Sequence, residues 1–201
     1  MPHSTTLRMK PGAVLVFEGL DNAGKSTQLQ RLKATLDPTA ITYAHMPSGE
    51  SQFTRLLYGL LENVPPASGL AKQLAHLACH SENMPALVDA TRGGSLILDR
   101  WWWSTMAYGW FGGGIDPNVL SESTFRDLVS SIWAPIRADQ ILLFLNPFED
   151  DINNNDEVAR GYRELALDHP CAHLVPAMDP DATHEYVLRF LVEEGLAGPA
   201  N

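Results

Sequence analysis

The sequence predicts a three-layer α/β/α domain built around a mostly parallel sheet. Ala13–Phe17, Ser95–Asp99 and Gln140–Leu145 are continuous apolar or β-branched runs. Such runs, rather than alternating ones, mark strands buried on both faces. Segments of helical spacing separate them, and a glycine-rich turn follows the first run directly. Alternation of this kind places helices on both sheet faces and a site at the strands' C-terminal ends.

The elements follow in order. After the strand at Ala13–Phe17, Leu29, Leu32 and Leu36 recur at helical spacing over Ser26–Leu36, and Asp37-Pro38 ends that helix before a short strand at Ala40–Ala44. A helix over Gln52–Leu61 precedes a break at Pro65-Pro66, and a longer helix over Leu70–Ala90 carries Leu74, Leu77, Met84 and Leu87, with Pro85 placed to kink it. The strand Ser95–Asp99, a helix over Ser121–Trp133 and the strand Gln140–Leu145 come next. A helix over Glu157–Leu167, a short strand at His173–Val175 and a helix over Ala182–Glu194 close the chain.

Bulk properties restrict what such a domain does. The 201 residues, 45% hydrophobic and 19% charged, suit one domain spanning 1–201. No apolar stretch reaches the roughly 18 to 20 residues of a membrane span, and Met1-Pro2-His3-Ser4 lacks the basic-then-apolar layout of a secretory leader. A cytoplasmic protein is expected. Cys79 and Cys171 have no ligand-like spacing and read as reduced thiols. A net charge of −10 argues against broad phosphate neutralisation of nucleic acid. The acidic, polar stretch Glu149–Glu157 reads as an exposed loop.

The chemistry sits in Gly19-Leu20-Asp21-Asn22-Ala23-Gly24-Lys25-Ser26, followed by Thr27. Glycines let backbone N–H groups turn inward around phosphates, and the following helix aims its positive end at the same charge. In this pattern Lys25 reaches the β- and γ-phosphates of ATP, and Ser26 holds Mg²⁺. Asp99 and Arg100 end a strand at the same edge. The carboxylate is suited to supporting the metal and the guanidinium to steadying a phosphoryl group, unless the two are a surface ion pair. Glu18 and Asp21 are both placed to act as general base, or as capping acids.

On these residues the chain resembles the thymidylate kinases. Phe17–Thr27 is similar to their phosphate loop, and Asp99-Arg100-Trp101 with Ser104 and Ala107-Tyr108 is similar to their Asp-Arg-aromatic motif. Val158-Ala159-Arg160-Gly161-Tyr162 with Leu165-Ala166 resembles the helix after their lid. The resemblance implies a P-loop kinase fold with ATP and Mg²⁺ as donor.

The departures bear on the acceptor. Where the family holds the acceptor phosphate with an arginine just before a proline, this chain has His45-Met46-Pro47, and His76 and His80 replace the aromatic ring and arginine set against the base. Only a short acidic linker stands in place of the lid, and Asn22 stands where some relatives carry an arginine. Neutral histidines do not match phosphate oxygens as guanidinium forks do, and an open site admits a polymer. The resemblance therefore extends to phage enzymes that phosphorylate 5-hydroxymethyluracil in DNA. Trp101, Trp102, Trp103, Tyr108, Trp110 and Phe111 then stack on an extruded base, with at least one of the three consecutive tryptophans facing outward, or else pack as core. Arg55, Lys72, Arg92, Arg100 and Arg160 are the residues from which a local basic path would be built, and Arg160 and Arg163 are candidates to replace the lid arginine. A plain pyrimidine deoxynucleoside monophosphate kinase and a non-catalytic nucleotide-binding relative are the alternatives.

Overall fold

The computed structural model describes residues 6–47 and 51–200, so the Met1–Ser4 segment lies outside the described residues. Five strands form one all-parallel sheet in the order β3 (Ile41–His45), β4 (Ser95–Asp99), β2 (Val14–Gly19), β5 (Gln140–Phe144), β6 (Ala172–Leu174). Val14–Gly19 is buried along its whole length, as its continuous apolar run requires. The sequence did not reveal β1 (Leu7–Met9) and β7 (Ala197–Pro199), which pair antiparallel as a separate two-stranded ribbon. Three residues each are too few to show a period.

The helices are α1 (Lys25–Thr35), α2 (Gln52–Asn63), α3 (Gly69–Gly93), α4 (Trp102–Met106), α5 (Glu122–Trp133), α6 (Asp156–Leu167) and α7 (Pro180–Glu193). Helix α3 is assigned without interruption through Pro85. Ser51, Ser68, Ser121, Asn155 and Asp179 cap α2, α3, α5, α6 and α7 by accepting from backbone N–H groups. Helix α4 widens at once into a π-helical turn over Ala107–Phe111, a form that recurs at functional sites.

All three consecutive tryptophans are inside, at 6%, 7% and 0% exposure for Trp101, Trp102 and Trp103. The expectation of an outward-facing indole is therefore corrected. Their rings pack against one another and against His169, and Trp101 also meets Trp133 edge-on, with centroids 5.0–6.3 Å apart. Burying such large apolar area against α5 and α6 outweighs any gain from leaving a ring in water.

Helix α3 meets α5 through a polar bond inside this core. The Trp133 indole N–H donates to His80 Nδ1 at 2.9 Å. Indole is donor-only, so His80 Nδ1 is unprotonated and the ring neutral. Burial, with His76 alongside, pushes the His80 pKa down to about 3.

Two predictions follow from the packing. Below its unfolded pKa of roughly 6.5, His80 takes up a proton in the unfolded chain but not in the folded one, so its contribution falls as pH falls towards about 3. Compared by urea denaturation with His80→Gln, which keeps an acceptor for Trp133, the wild type should lose about 2 kcal/mol more between pH 6.5 and 4.5. A pH-independent difference refutes this. Separately, a Cβ on Gly161 would lie 2.5 Å from the Phe111 ring, whereas one on Gly59 meets nothing within 4 Å. Gly161→Ala should destabilise by about 1–3 kcal/mol, while Gly59→Ala should stabilise by about 0.5–1 kcal/mol through helix propensity.

Candidate functional site

The phosphate loop leaves β2 at Gly19, whose φ is +128° and where a Cβ would sit 2.0 Å from the Phe144 carbonyl oxygen. Only glycine fits there. Asn22 (φ +56°) and Gly24 (φ +94°) complete the turn in the left-handed region. Helix α1 begins immediately, with no side chain capping its first turn. Its N-terminal N–H groups and dipole thus face a cavity of about 500 Å³ lined by Asp21–Gln28, His45, Asp99, Arg100 and the segment Val175–Met178. Gly19 and Leu20 lie behind this wall, and their carbonyls accept from Lys25 Nζ at 3.1 and 2.5 Å. Burial, aided by Arg100, lowers the Lys25 pKa to about 8, so it still carries charge at neutral pH. Uncapped amides and a buried cation fit a polyphosphate.

Glu18 is not available as a base. It has no exposure, and its carboxylate accepts from the backbone N–H of Trp101 (2.7 Å), Ser104 (3.0 Å) and Gly19 (3.3 Å) and from the hydroxyls of Ser104 (2.6 Å) and Tyr162 (3.2 Å). It ties β2, the start of α4 and α6 together. Burial dominates and raises its pKa, against the opposing pull of Arg100 and of the Ser104 and Trp101 hydrogen bonds. Of the two carboxylates expected to act as base, only Asp21 faces a cavity, and its Oδ1 accepts from Arg100 Nη2.

Arg100 follows β4 with φ +70°, a conformation that costs a non-glycine residue about 1–2 kcal/mol. Its Nη1 donates to the Gly19 carbonyl (3.2 Å), Ser104 Oγ (2.8 Å) and Tyr162 (3.4 Å), and the guanidinium lies over the Tyr108 ring at 5.4 Å. Asp99 lies beside it and accepts from His45 Nδ1 at 3.0 Å. Burial raises the Asp99 pKa, but the His45 hydrogen bond and charge, with Lys25 and Arg100, outweigh it and hold the carboxyl low. Ser26, Asp99 and His45 border the first cavity and also, with Lys33, an adjoining cleft.

A second cavity, of about 590 Å³, adjoins the first and shares Asp21, Tyr58 and Arg100 with it. His76, His80, Trp101 and Tyr108 line it, whereas His45 lines the first cavity. Burial, with Lys72, lowers the His76 pKa to about 4, so neither histidine supplies charge at neutral pH. Lys72 and Arg100 are the cations in this wall among the described residues. Lys72 entered the sequence reading only as part of a basic path. Arg160 is not at the site. It pairs with Glu157 and Glu164 on the outer face of α6, and Arg163 is exposed on the same helix.

The acidic linker between β5 and α6 is not a free loop. Phe148 N–H donates to the Asn22 carbonyl at 2.9 Å, and its ring covers Gly24. Asn154 bonds both the N–H (3.0 Å) and C=O (2.8 Å) of Asp21, while Tyr108 OH accepts from the same N–H (3.0 Å) and donates to Asn154 Oδ1 (3.2 Å). Nothing in the spacing of Asn153-Asn154-Asn155 distinguishes the residue that docks.

The family model described as thymidylate kinase matches residues 17–128, more than half of the chain. The thymidylate kinase of Chlorobium luteolum is 34% identical over 53% of this chain and 52% of its own length, so this chain spans about half of that curated relative. The thymidylate kinase of Chlorobium chlorochromatii is 34% identical over 87% of this chain and 92% of its own. In fold, the thymidylate kinase of Ehrlichia chaffeensis superposes with a TM-score of 0.71 at 22% identity, covering 91% of this chain and 100% of that one. That of Candida albicans reaches 0.68 at 20% identity, covering 98% of each. Phosphate loop, Asp-Arg turn and five-stranded parallel sheet agree with these matches, and the chain belongs to the thymidylate kinase family.

Proposed function

We propose that this chain transfers the γ-phosphoryl group of ATP to the 5′-phosphate of a pyrimidine deoxynucleotide of the dTMP type. The observation that carries the reading is Arg100, which borders both cavities at their junction, beside Lys25 and the phosphate loop. A phosphoryl group passing between two bound nucleotides crosses that junction, and cations there match the charge it carries. The acceptor phosphate oxygen forms the new bond to Pγ as the bond to ADP's β-phosphate oxygen breaks. Ser26, with Asp99 in support, would hold Mg²⁺, which would supply neutralisation of phosphate charge there.

The state of Glu18 bears on the acceptor class. A hydroxyl acceptor must lose a proton during transfer, whereas a phosphate monoester is already an anionic nucleophile at neutral pH. Glu18 is saturated with donors and Asp21 is paired with Arg100, which favours the acceptor that needs no base. Two supports of the 5-hydroxymethyluracil DNA reading also weaken, because the tryptophans are buried and the linker is docked on the phosphate loop. One observation favours that second reading. His45 replaces an acceptor arginine and is bonded to Asp99 instead.

Label transfer from [γ-³²P]ATP to dTMP, dUMP, 5-hydroxymethyl-dUMP, thymidine and 5-hydroxymethyluracil DNA separates the readings. Nucleoside diphosphate product is expected, with Lys25→Ala reducing it by roughly 10²–10³-fold. Label confined to DNA supports the second reading and overturns the first. Equal inertness of wild type and Lys25→Ala towards every acceptor leaves a nucleotide-binding relative without transferase activity.

A further inference from the structure

We propose that Asn154 is a positioning residue for the phosphate loop, and that the segment 145–155 is a fixed bridge clamping the loop in its nucleotide-binding form. The inference rests on the donor reading above. The Asp21 N–H belongs to the peptide before that residue and its C=O to the peptide after it. By bonding both, at 3.0 and 2.8 Å, one carboxamide pins the two peptides flanking Asp21 as a paired strand would. The chain must then turn at Asn22, and it does so in the left-handed region at φ +56°. That turn is held from the same segment by the Phe148 N–H on the Asn22 carbonyl and, at 3.4 Å, by Asn22 Nδ2 on Asp151 Oδ2.

The bridge is itself rigid. Asp151 Oδ1 accepts from the backbone and side-chain N–H of Asn153, the Asp151 carbonyl accepts from Asn154 N–H at 3.0 Å, and Asn155 caps α6. Side chains from this segment border both cavities, Phe148 and Glu149 on one side and Ile152 and Asn153 on the other. A loop pinned before binding has little conformational freedom left to lose when it wraps phosphates. The same clamp fixes the Asp21 carboxylate that receives Arg100.

Binding of a fluorescent ATP analogue with Mg²⁺, which needs no knowledge of the acceptor, tests this in the full chain. Asn154→Ala should weaken it about ten-fold, the loss of roughly one well-made hydrogen bond, with melting temperature nearly unchanged. Asn154→Asp, which keeps an acceptor for the Asp21 N–H but sets a carboxylate against the Asp21 carbonyl, should weaken it at least as much. A purely structural role would instead lower the melting temperature along with the loss of affinity, and that outcome, or wild-type affinity in Asn154→Ala, overturns the proposal. Should Asn154→Ala fail to fold, Tyr108→Phe removes only the hydroxyl between Asp21 and Asn154. A weakening of about three-fold is then expected, and none overturns it. A wild type without affinity for the analogue overturns the donor reading and the proposal together.

Discussion

The buried Glu18 carboxylate is the constraint from which the site is built. A charge-bearing group with no exposure is tolerated only when its acceptor capacity is filled, and here five donors from three parts of the chain fill it. Each donor is thereby assigned a place. The backbone N–H groups of Trp101 and Ser104 belong to the start of α4, so the carboxylate caps that helix without a residue of its own at the cap. Tyr162 comes from α6, which begins only after the linker has crossed the phosphate loop. Removing the carboxylate would leave these donors unpaired in the interior, at a cost of about 1–3 kcal/mol each.

Arg100 inherits its position from that arrangement. Its left-handed backbone carries a conformational cost, offset by a backbone bond to Phe17 and by the bonds its guanidinium makes to Gly19, Ser104, Tyr162 and Asp21. Ser104 and Tyr162 are the same side chains that bond Glu18, so acid and guanidinium are held through shared hydroxyls. A cation fixed in this way at the junction of two cavities is already oriented, which matters because reorganisation during transfer would add to the barrier.

The sequence made the phosphate loop legible because its pattern is local. Strand, glycine turn, lysine and helix N-terminus are contiguous, and each residue type has one good reason to be there. The same holds for the parallel sheet, whose strands are long enough to show unbroken apolar runs. It does not hold for Glu18, whose role is set by partners 83 to 144 positions away. Nor does it hold for Trp101–Trp103, where three bulky rings in a row imply exposure unless another helix supplies a matching surface, as Trp133 and His169 do. Asn154 is the extreme case. Its function depends on a backbone bond 133 residues away, and an asparagine among asparagines in a polar stretch carries no periodic signal.

The missing acceptor arginine and the missing lid are then one change rather than two. A moving lid brings cations to the transferring group and excludes water after substrates bind. Here the bridge lies on the phosphate loop, and the junction carries Arg100, tethered by Asp21 and Tyr162. With His45 drawn to Asp99 and His76 and His80 neutral, the acceptor wall offers Lys72 and that same Arg100. On the proposed reading one arginine gathers what a mobile segment and a second arginine would otherwise divide, and acceptor affinity would depend on how far Asp21 leaves that guanidinium free to pair with phosphate.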